Sequence, residues 1–340
     1  MKILIVASNM VHIKNFHLPY IEAFKHAGHD VLVMANGEGA DFNVPFKKKA
    51  FSFSNFKLSL KIKKILKNEC FDAIFLHTTL AAFWTRFAMR GLKKKPIVVN
   101  TVHGYLFSKH TSGLKTSLYL LAEKLMRKRT DYIAVMNKED LDIAVTNKLC
   151  RKDVVFINGM GVKPDRVLGI QKGSKNDNSL RLVYVGELSA RKNQIFLVKA
   201  LRYLENAHLT LVGDGDERES IEKYAKENGL SSRLTITGFT KNVKAHLENS
   251  DVYVSASVIE GLPFNLIEAM IARMPILASD IKGQRDLLSS NCLYPLNDMN
   301  AFVDALKNVS LESIDYDIDK YLIDNALNEN MSIYLGFLKE

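Results

Sequence analysis

The chain has 340 residues, with 47 basic side chains against 37 acidic ones and a formal net charge of +10. Its 47% hydrophobic and 25% charged content is that of a folded globular protein, which excludes disordered, collagen-like and low-complexity scaffolds. At about 100–200 residues per domain, the length points to two domains.

The chain opens MKILIVAS, a short apolar run with no small-residue cleavage site behind it, so residues 2–8 read as a first strand and not as a signal peptide. Residues 18–27 read as a helix stopped by Gly28, and residues 30–35 as the second strand. Further strands are expected at 72–77, 96–101, 131–136 and 154–157, with helices at 59–68, 79–89 and 117–129 between them. Continuous Ile/Val/Leu strands separated by helix-length segments indicate a parallel sheet covered on both faces. This is a doubly wound, Rossmann-like domain.

A polar stretch at 171–179 (QKGSKNDNS) reads as a linker, and the alternation then restarts. Strands are expected at 180–186, 207–212, 234–237, 252–255 and 275–278, and helices at 194–204, 217–228, 243–249, 263–272, 301–307 and 320–338. The expected architecture is therefore α/β, with two Rossmann-like domains, 1–170 and 171–340, facing a central cleft. The last helix is expected to pack back on the first domain. No apolar run reaches the ~18 residues of a spanning helix. The three cysteines, Cys70, Cys150 and Cys292, are far apart and odd in number, which gives neither a disulfide framework nor a zinc knuckle and suits a reducing compartment.

The charge is uneven. Residues 1–163 hold 27 Lys/Arg and 12 Asp/Glu, a net +15, and the remainder holds 20 and 25, a net −5. Such asymmetry suggests that the first domain meets something anionic. In residues 57–67 (KLSLKIKKILK), Leu58, Ile62, Ile65 and Leu66 fall near one helical face with lysines around the other, and 116–129 is patterned likewise. Basic amphipathic helices suit an anionic membrane surface. The plain alternative is that the apolar faces pack on the sheet and the lysines are only solvated.

Two common uses of a Rossmann pair fail on inspection. After the first strand, Ala7 to His12 contain no glycine, and neither Gly213-Asp214-Gly215 nor Gly159-Met160-Gly161 continues as G-x-G-x-x-G. No G-x-x-x-x-G-K-[ST] is present either. The most informative segment is EGLPFNLIE, residues 260–268, with two glutamates separated by seven residues around a predicted helix start. Gly261 permits a tight entry, and Pro263 suits the first helical position. The amides of Leu262, Phe264 and Asn265, with the helix dipole, could receive a phosphate or a hydroxyl-bearing ligand. Glu268, two turns in, could accept paired hydroxyls. Read alone, both glutamates could equally be solvated helix residues.

This segment resembles the E-x7-E signature of the retaining glycosyltransferases of family 4, the glycogen-synthase-like clan with the GT-B fold. Further motifs follow in order. Val185-Gly186-Glu187-Leu188-Ser189-Ala190-Arg191-Lys192-Asn193 resembles the opening of that family's second domain, Gly213-Asp214-Gly215 its G-x-G turn, Thr237-Gly238-Phe239 the strand end beside the base, and Thr101-Val102-His103-Gly104-Tyr105 its first-domain histidine loop. Within the clan the resemblance is to enzymes of capsule, exopolysaccharide and lipid-linked oligosaccharide assembly.

The resemblance implies a donor site in which Glu260 contacts the sugar, the amides of Gly261 to Asn265 hold sugar hydroxyls and the distal phosphate, and Glu268 binds the ribose. Lys192 and Arg191 would neutralise the diphosphate, with Lys192 at the motif lysine. Gly186, Gly238 and Phe239 would line the nucleotide. His103 would sit under the reacting sugar, although a lone histidine after a strand is often structural. His12, Lys14 and His17, in the loop expected after the first strand, would face the acceptor, and His77 also ends a strand. Glu187 replaces a family arginine and should point away or pair with Arg191, while Asn193 stands where glycine is common and can accept a left-handed backbone. The implied donor is a UDP-sugar, with no metal cofactor; Asp214 and Asp216 spell D-x-D only within the turn. The implied acceptor is a glycan or lipid-linked oligosaccharide, handled by a cytoplasmic enzyme peripheral to the inner face of the plasma membrane, with no nucleic acid as partner. The competing readings are a nucleotide-sugar epimerase of the same fold and, from another class, a basic nucleic-acid-binding protein, for which no motif is present.

Overall fold

The computed structural model describes residues 1–46, 53–170, 179–310 and 314–339. The polar stretch expected as a linker lies outside the described residues, apart from Ser179. The chain forms two compact units, Met1–Gly161 with Ile323–Glu340, and Val162–Leu322. The change of unit comes at Gly161, before the boundary expected at residue 170.

Unit one begins with β1 (Lys2–Val6), α1 (Met10–Phe16), α2 (Leu18–His26), β2 (Asp30–Ala35), β3 (Phe42–Asn43) and α3 (Phe53–Glu69). It continues with β4 (Ala73–His77), α4 (Thr79–Ala88), β5 (Ile97–Val102), α5 (Gly113–Met126), β6 (Tyr132–Val135), α6 (Lys138–Thr146) and β7 (Asp153–Phe156). Among the described residues these strands make one sheet in the order β3-β2-β1-β4-β5-β6-β7. Every pairing in it is parallel. A parallel sheet needs cover on both faces, and the strands meet that demand: β1 and β4 are almost wholly buried.

Unit two holds β8 (Leu180–Val185), α7 (Gln194–Ala200), β9 (Ala207–Val212), α8 (Arg218–Glu227), β10 (Leu234–Gly238), α9 (Val243–Glu248) and β11 (Val252–Ser255). Then come α10 (Phe264–Ile271), β12 (Ile276–Ser279), β13 (Leu293–Tyr294) and α11 (Met299–Lys307). Its sheet runs β10-β9-β8-β11-β12-β13, again parallel. The final helix, α12 (Ile323–Phe337), belongs to unit one. Asn330 donates to the Tyr20 hydroxyl at 2.8 Å and to the Gly159 carbonyl at 2.7 Å, and Phe337 stacks on Tyr132 with ring centroids 3.8 Å apart.

In both sheets the strand order reverses beside the first strand, at β1/β4 and at β8/β11. A crevice opens at the carboxyl ends of the strands on either side of such a reversal, and ligands of open α/β sheets bind there.

Candidate active site

In unit two the reversal brings together the loops after β8 and β11. The first supplies Arg191 and Lys192, the second Glu260. Lys192 Nζ lies 2.5 Å from Glu260 Oε1, and Arg191 Nη1 lies 2.8 Å from Oε2 of the same carboxylate. Lys192 and Glu260 are both buried, whereas the Arg191 side chain is 41% exposed. Burial pushes the Glu260 carboxyl up, but the charges of Lys192 and Arg191 together outweigh it and hold the group below its ordinary value. The cations are placed by a tight turn. Asn193 takes a left-handed conformation at φ 56°, as expected where the family has glycine, and the Lys192 and Asn193 amides both donate to the Ser189 carbonyl. Glu187 is exposed, and Arg191 pairs with Glu260, so the alternative of a Glu187–Arg191 pair is not realised.

Three glycines end adjacent strands here: Gly186 after β8, Gly213 after β9 and Gly238 closing β10. Gly213 has φ 151° and abuts the Gly186 carbonyl so closely that any side chain would collide with backbone. Gly238 bridges to Gly213, and Phe239 after it is 83% exposed. Asp214 is engaged in the turn, accepting from the Gly215 amide at 2.9 Å and pairing with Arg218 at 3.1 Å.

The EGLPFNLIE segment departs from expectation by one residue. Pro263 is the N-cap, and α10 starts at Phe264. Proline at the cap keeps an extended backbone, and its carbonyl accepts from the Leu266 and Ile267 amides. Leu262 is buried, and Gly261 lies against Gly283, where an added side chain would meet its carbonyl. The Asn265 side-chain amide donates to the Val185 carbonyl, tying the helix start to the end of β8. Glu268 is buried and pairs with Arg166 Nη1 at 3.0 Å; burial raises its carboxyl above the ordinary value, against the pull of Arg166. Sequence reasoning missed Arg166. It sits in a short turn opened by Pro164, far along the chain from its partner, and no spacing rule links the two.

In unit one the reversal gathers histidines. Residues 10–16 were expected as loop and form α1 instead, because Asn9 caps it by accepting from the His12 amide at 2.8 Å. His12 on α1, His17 after it, His77 at the end of β4 and His103 after β5 form one group. His77 Nδ1 lies 3.2 Å from His103 Nε2, and the His17 ring lies 3.8 Å from that of His77. His17 and His77 are buried. Burial, reinforced by neighbouring imidazoles, lowers His17, His77 and His103 well below the ordinary value, and burial alone takes His12 to about 4. All four are therefore neutral at pH 7. Lys14 is exposed on α1, two residues and about 200° around the helix from His12, outside the group. Thr78 follows His77 with φ 66°, a costly conformation for a β-branched residue, and its hydroxyl oxygen is held by the Ser8 amide at 3.0 Å and the Ser8 hydroxyl at 2.7 Å.

On unit one's surface the two basic helices differ. Ile62 and Leu66 of α3 are buried in a core cluster shared with α4 and the strands. In α5, Glu123 and Met126 face inward, while Leu114, Leu118, Leu121 and Leu125 are 54–77% exposed within about 60° of arc. Lys115 and Lys124 flank this stripe. A buried ion pair fastens α5 to α4: Arg86 gives Glu123 two parallel bonds of 2.9 and 3.0 Å. No helix among the described residues is long and apolar enough to cross a membrane.

The sequence matches the family described as "Glycosyl transferases group 1" over residues 168–334 and that described as "Glycosyl transferase 4-like" over residues 2–137. It is similar to EpsD of Bacillus subtilis (strain 168), a glycosyltransferase by name, at 28% identity over 324 residues, 88% of this chain and 85% of that protein. It is 26% identical to the Escherichia coli UDP-Gal:alpha-D-GlcNAc-diphosphoundecaprenol alpha-1,3-galactosyltransferase, over 76% of this chain and 72% of that one. Among solved structures, the lipopolysaccharide outer core galactosyltransferase WaaB in its apo form superposes with a TM-score of 0.74 at 19% identity, covering 99% of this chain and 100% of that one, a likeness of fold. With two Rossmann-like units in series, a charged constellation at the strand reversal of the second, and both halves matched, the chain belongs to the family-4-type glycosyltransferases of GT-B fold.

Proposed function

We propose that this enzyme transfers a sugar, with retention of anomeric configuration, from a UDP-sugar to a lipid-linked or growing surface glycan in bacterial polysaccharide assembly. The observation that carries the reading is the Lys192–Glu260–Arg191 constellation at the carboxyl ends of β8 and β11. A departing nucleoside diphosphate gathers negative charge as the glycosidic bond breaks. Fixed cations therefore favour the transition state over the ground state. Lys192 and Arg191 take the diphosphate, and Glu260, held ionised by them, contacts the donor sugar. The start of α10, from Gly261 through Leu262, Pro263 and Phe264 to Asn265, meets the sugar hydroxyls and distal phosphate. Glu268 accepts from the ribose hydroxyls, and Gly186, Gly238 and Phe239 line the nucleotide. On this reading the diphosphate is neutralised without a metal.

In unit one, His103 serves the reacting sugar and His12 the acceptor. A similar E. coli enzyme carries a UDP-linked donor, a diphosphoundecaprenol acceptor and an alpha linkage in its name, which supports this choice of donor and acceptor. The leucine stripe of α5 with its flanking lysines supports peripheral attachment to an anionic membrane on the cytoplasmic side. The test is turnover with a panel of UDP-sugars and a polyprenyl-diphosphate-sugar acceptor, with the product anomer read by NMR. Lys192→Ala is expected to lose on the order of 100-fold in kcat with the fold intact. An inverted anomer, or full rate in the variant, overturns the reading.

A further inference from the structure

We propose that His12, His17 and His103 form a binding site for a single borderline divalent cation of the zinc type. One side-chain nitrogen from each of the three lies within 4.8 Å of the other two. His17 is fully buried, yet neither of its ring nitrogens has a hydrogen-bond partner among the described residues, and the same holds for His12 Nε2. Buried nitrogens are normally satisfied, so the orphaned nitrogens of two rings, His12 and His17, that gather with His103 call for a further ligand. A cation that accepts lone pairs takes one nitrogen from each ring, His12 Nε2 and one of the two on His17 among them.

The donor set selects the ion. Three imidazoles suit Zn²⁺, Co²⁺, Ni²⁺ or Cu²⁺, whereas Mg²⁺ and Ca²⁺ seek oxygen. His77 supplies the outer support such sites use. Its Nδ1 lies 3.2 Å from His103 Nε2, which leaves His103 Nδ1 for the ion and fixes the ring. Zn–N bonds of about 2.1 Å place tetrahedral ligand atoms about 3.4 Å apart, so the widest pair must close by about 1.4 Å. His12 lies half-buried on the short α1. Three protein ligands leave a tetrahedral ion one open position for an exogenous oxygen.

This site is separate from the diphosphate cations of unit two, and its test needs no nucleotide. The full chain is stripped with chelator and titrated with Zn²⁺ by calorimetry, and with Co²⁺ by visible absorption, in parallel with His12→Gln, His17→Gln, His103→Gln and the unit-two control His208→Gln. The expected result is one equivalent bound with a tetrahedral Co²⁺ spectrum, at least about tenfold weaker in each cluster variant and unchanged in the control. His17→Gln can fail to fold because the ring is buried, and the half-buried His12 and His103 then decide. An absence of stoichiometric binding, or affinity within threefold of the wild type in both the His12 and His103 variants, overturns the site. Either result leaves the donor reading to be judged by UDP-sugar turnover.

Discussion

Glu260 and Glu268 stand at the two ends of one nine-residue segment, yet their carboxyls move to opposite sides of the ordinary value of 4.5. Both are buried; Glu260 has two cations and Glu268 has one, Arg166, whose side chain is 53% exposed. The signs give separable outcomes. Glu260, lowered in the fold, contributes stability that is present above pH 4.5 and lost as pH falls through its lowered value. Glu268, raised, destabilises the fold when ionised, and acidification through its raised value relieves that cost. If Glu268 receives the ribose hydroxyls as carboxylate, UDP affinity falls as pH drops through a window above 4.5. In Glu268→Gln the dependence is expected to be shallower than in the wild type, leaving the part that comes from protonation of the UDP terminal phosphate, as checked by calorimetric titration between pH 4.5 and 7. Glu260→Ala would strand Lys192 as a buried, unpaired charge and is expected to lower unfolding free energy by about 3 kcal/mol in denaturant titrations, with little added by exposed Arg191.

The central strands were legible as elements because uninterrupted Ile/Val/Leu runs can only be buried on both faces. The elements that escaped are the short and polar ones. The nine-residue helix α6 has only Asp140 and Ala144 buried, so its apolar period was too weak to notice, although Asn137 accepting from the Asp140 amide marks a cap that its sequence advertises. α1 was missed for the same reason, and with it the device that turns His12 toward His17 and His103. The two basic helices could not be told apart by pattern, since a leucine stripe reads the same whether a sheet or a membrane covers it. Only the structure shows Ile62 of α3 buried and the α5 leucines bare. Leu118→Gln with Leu121→Gln should therefore leave the melting temperature unchanged. Each leucine is expected to reduce co-sedimentation with anionic phosphatidylglycerol vesicles about tenfold. Sedimentation equal to the wild type would assign the stripe no membrane role.

At the scale of the whole chain, two parallel sheets repeat one plan, and in each the strand order turns back beside the first strand. That reversal explains why residues so distant in sequence meet: the loop after β8 finds the loop after β11, and α1 finds the ends of β4 and β5. Motif order in the sequence could name Lys192, Glu260 and His103 as candidates, because each follows a strand. It could not show that Glu260 binds both cations, that Arg166 pairs with Glu268, or that four histidines converge, since those facts depend on strand order and burial. The same plan explains the glycines at 186, 213 and 238, which let three neighbouring strand ends approach without side chains between them. Unit two is expected to hold a nucleoside diphosphate through Lys192 and Glu268. Calorimetric titration of UDP into the full chain, beside Lys192→Ala and Glu268→Ala, tests it most directly. One site per chain is expected, with each variant weakened at least tenfold, about 1.4 kcal/mol; no heat of binding in the wild type, or variants binding within twofold of it, would contradict the account.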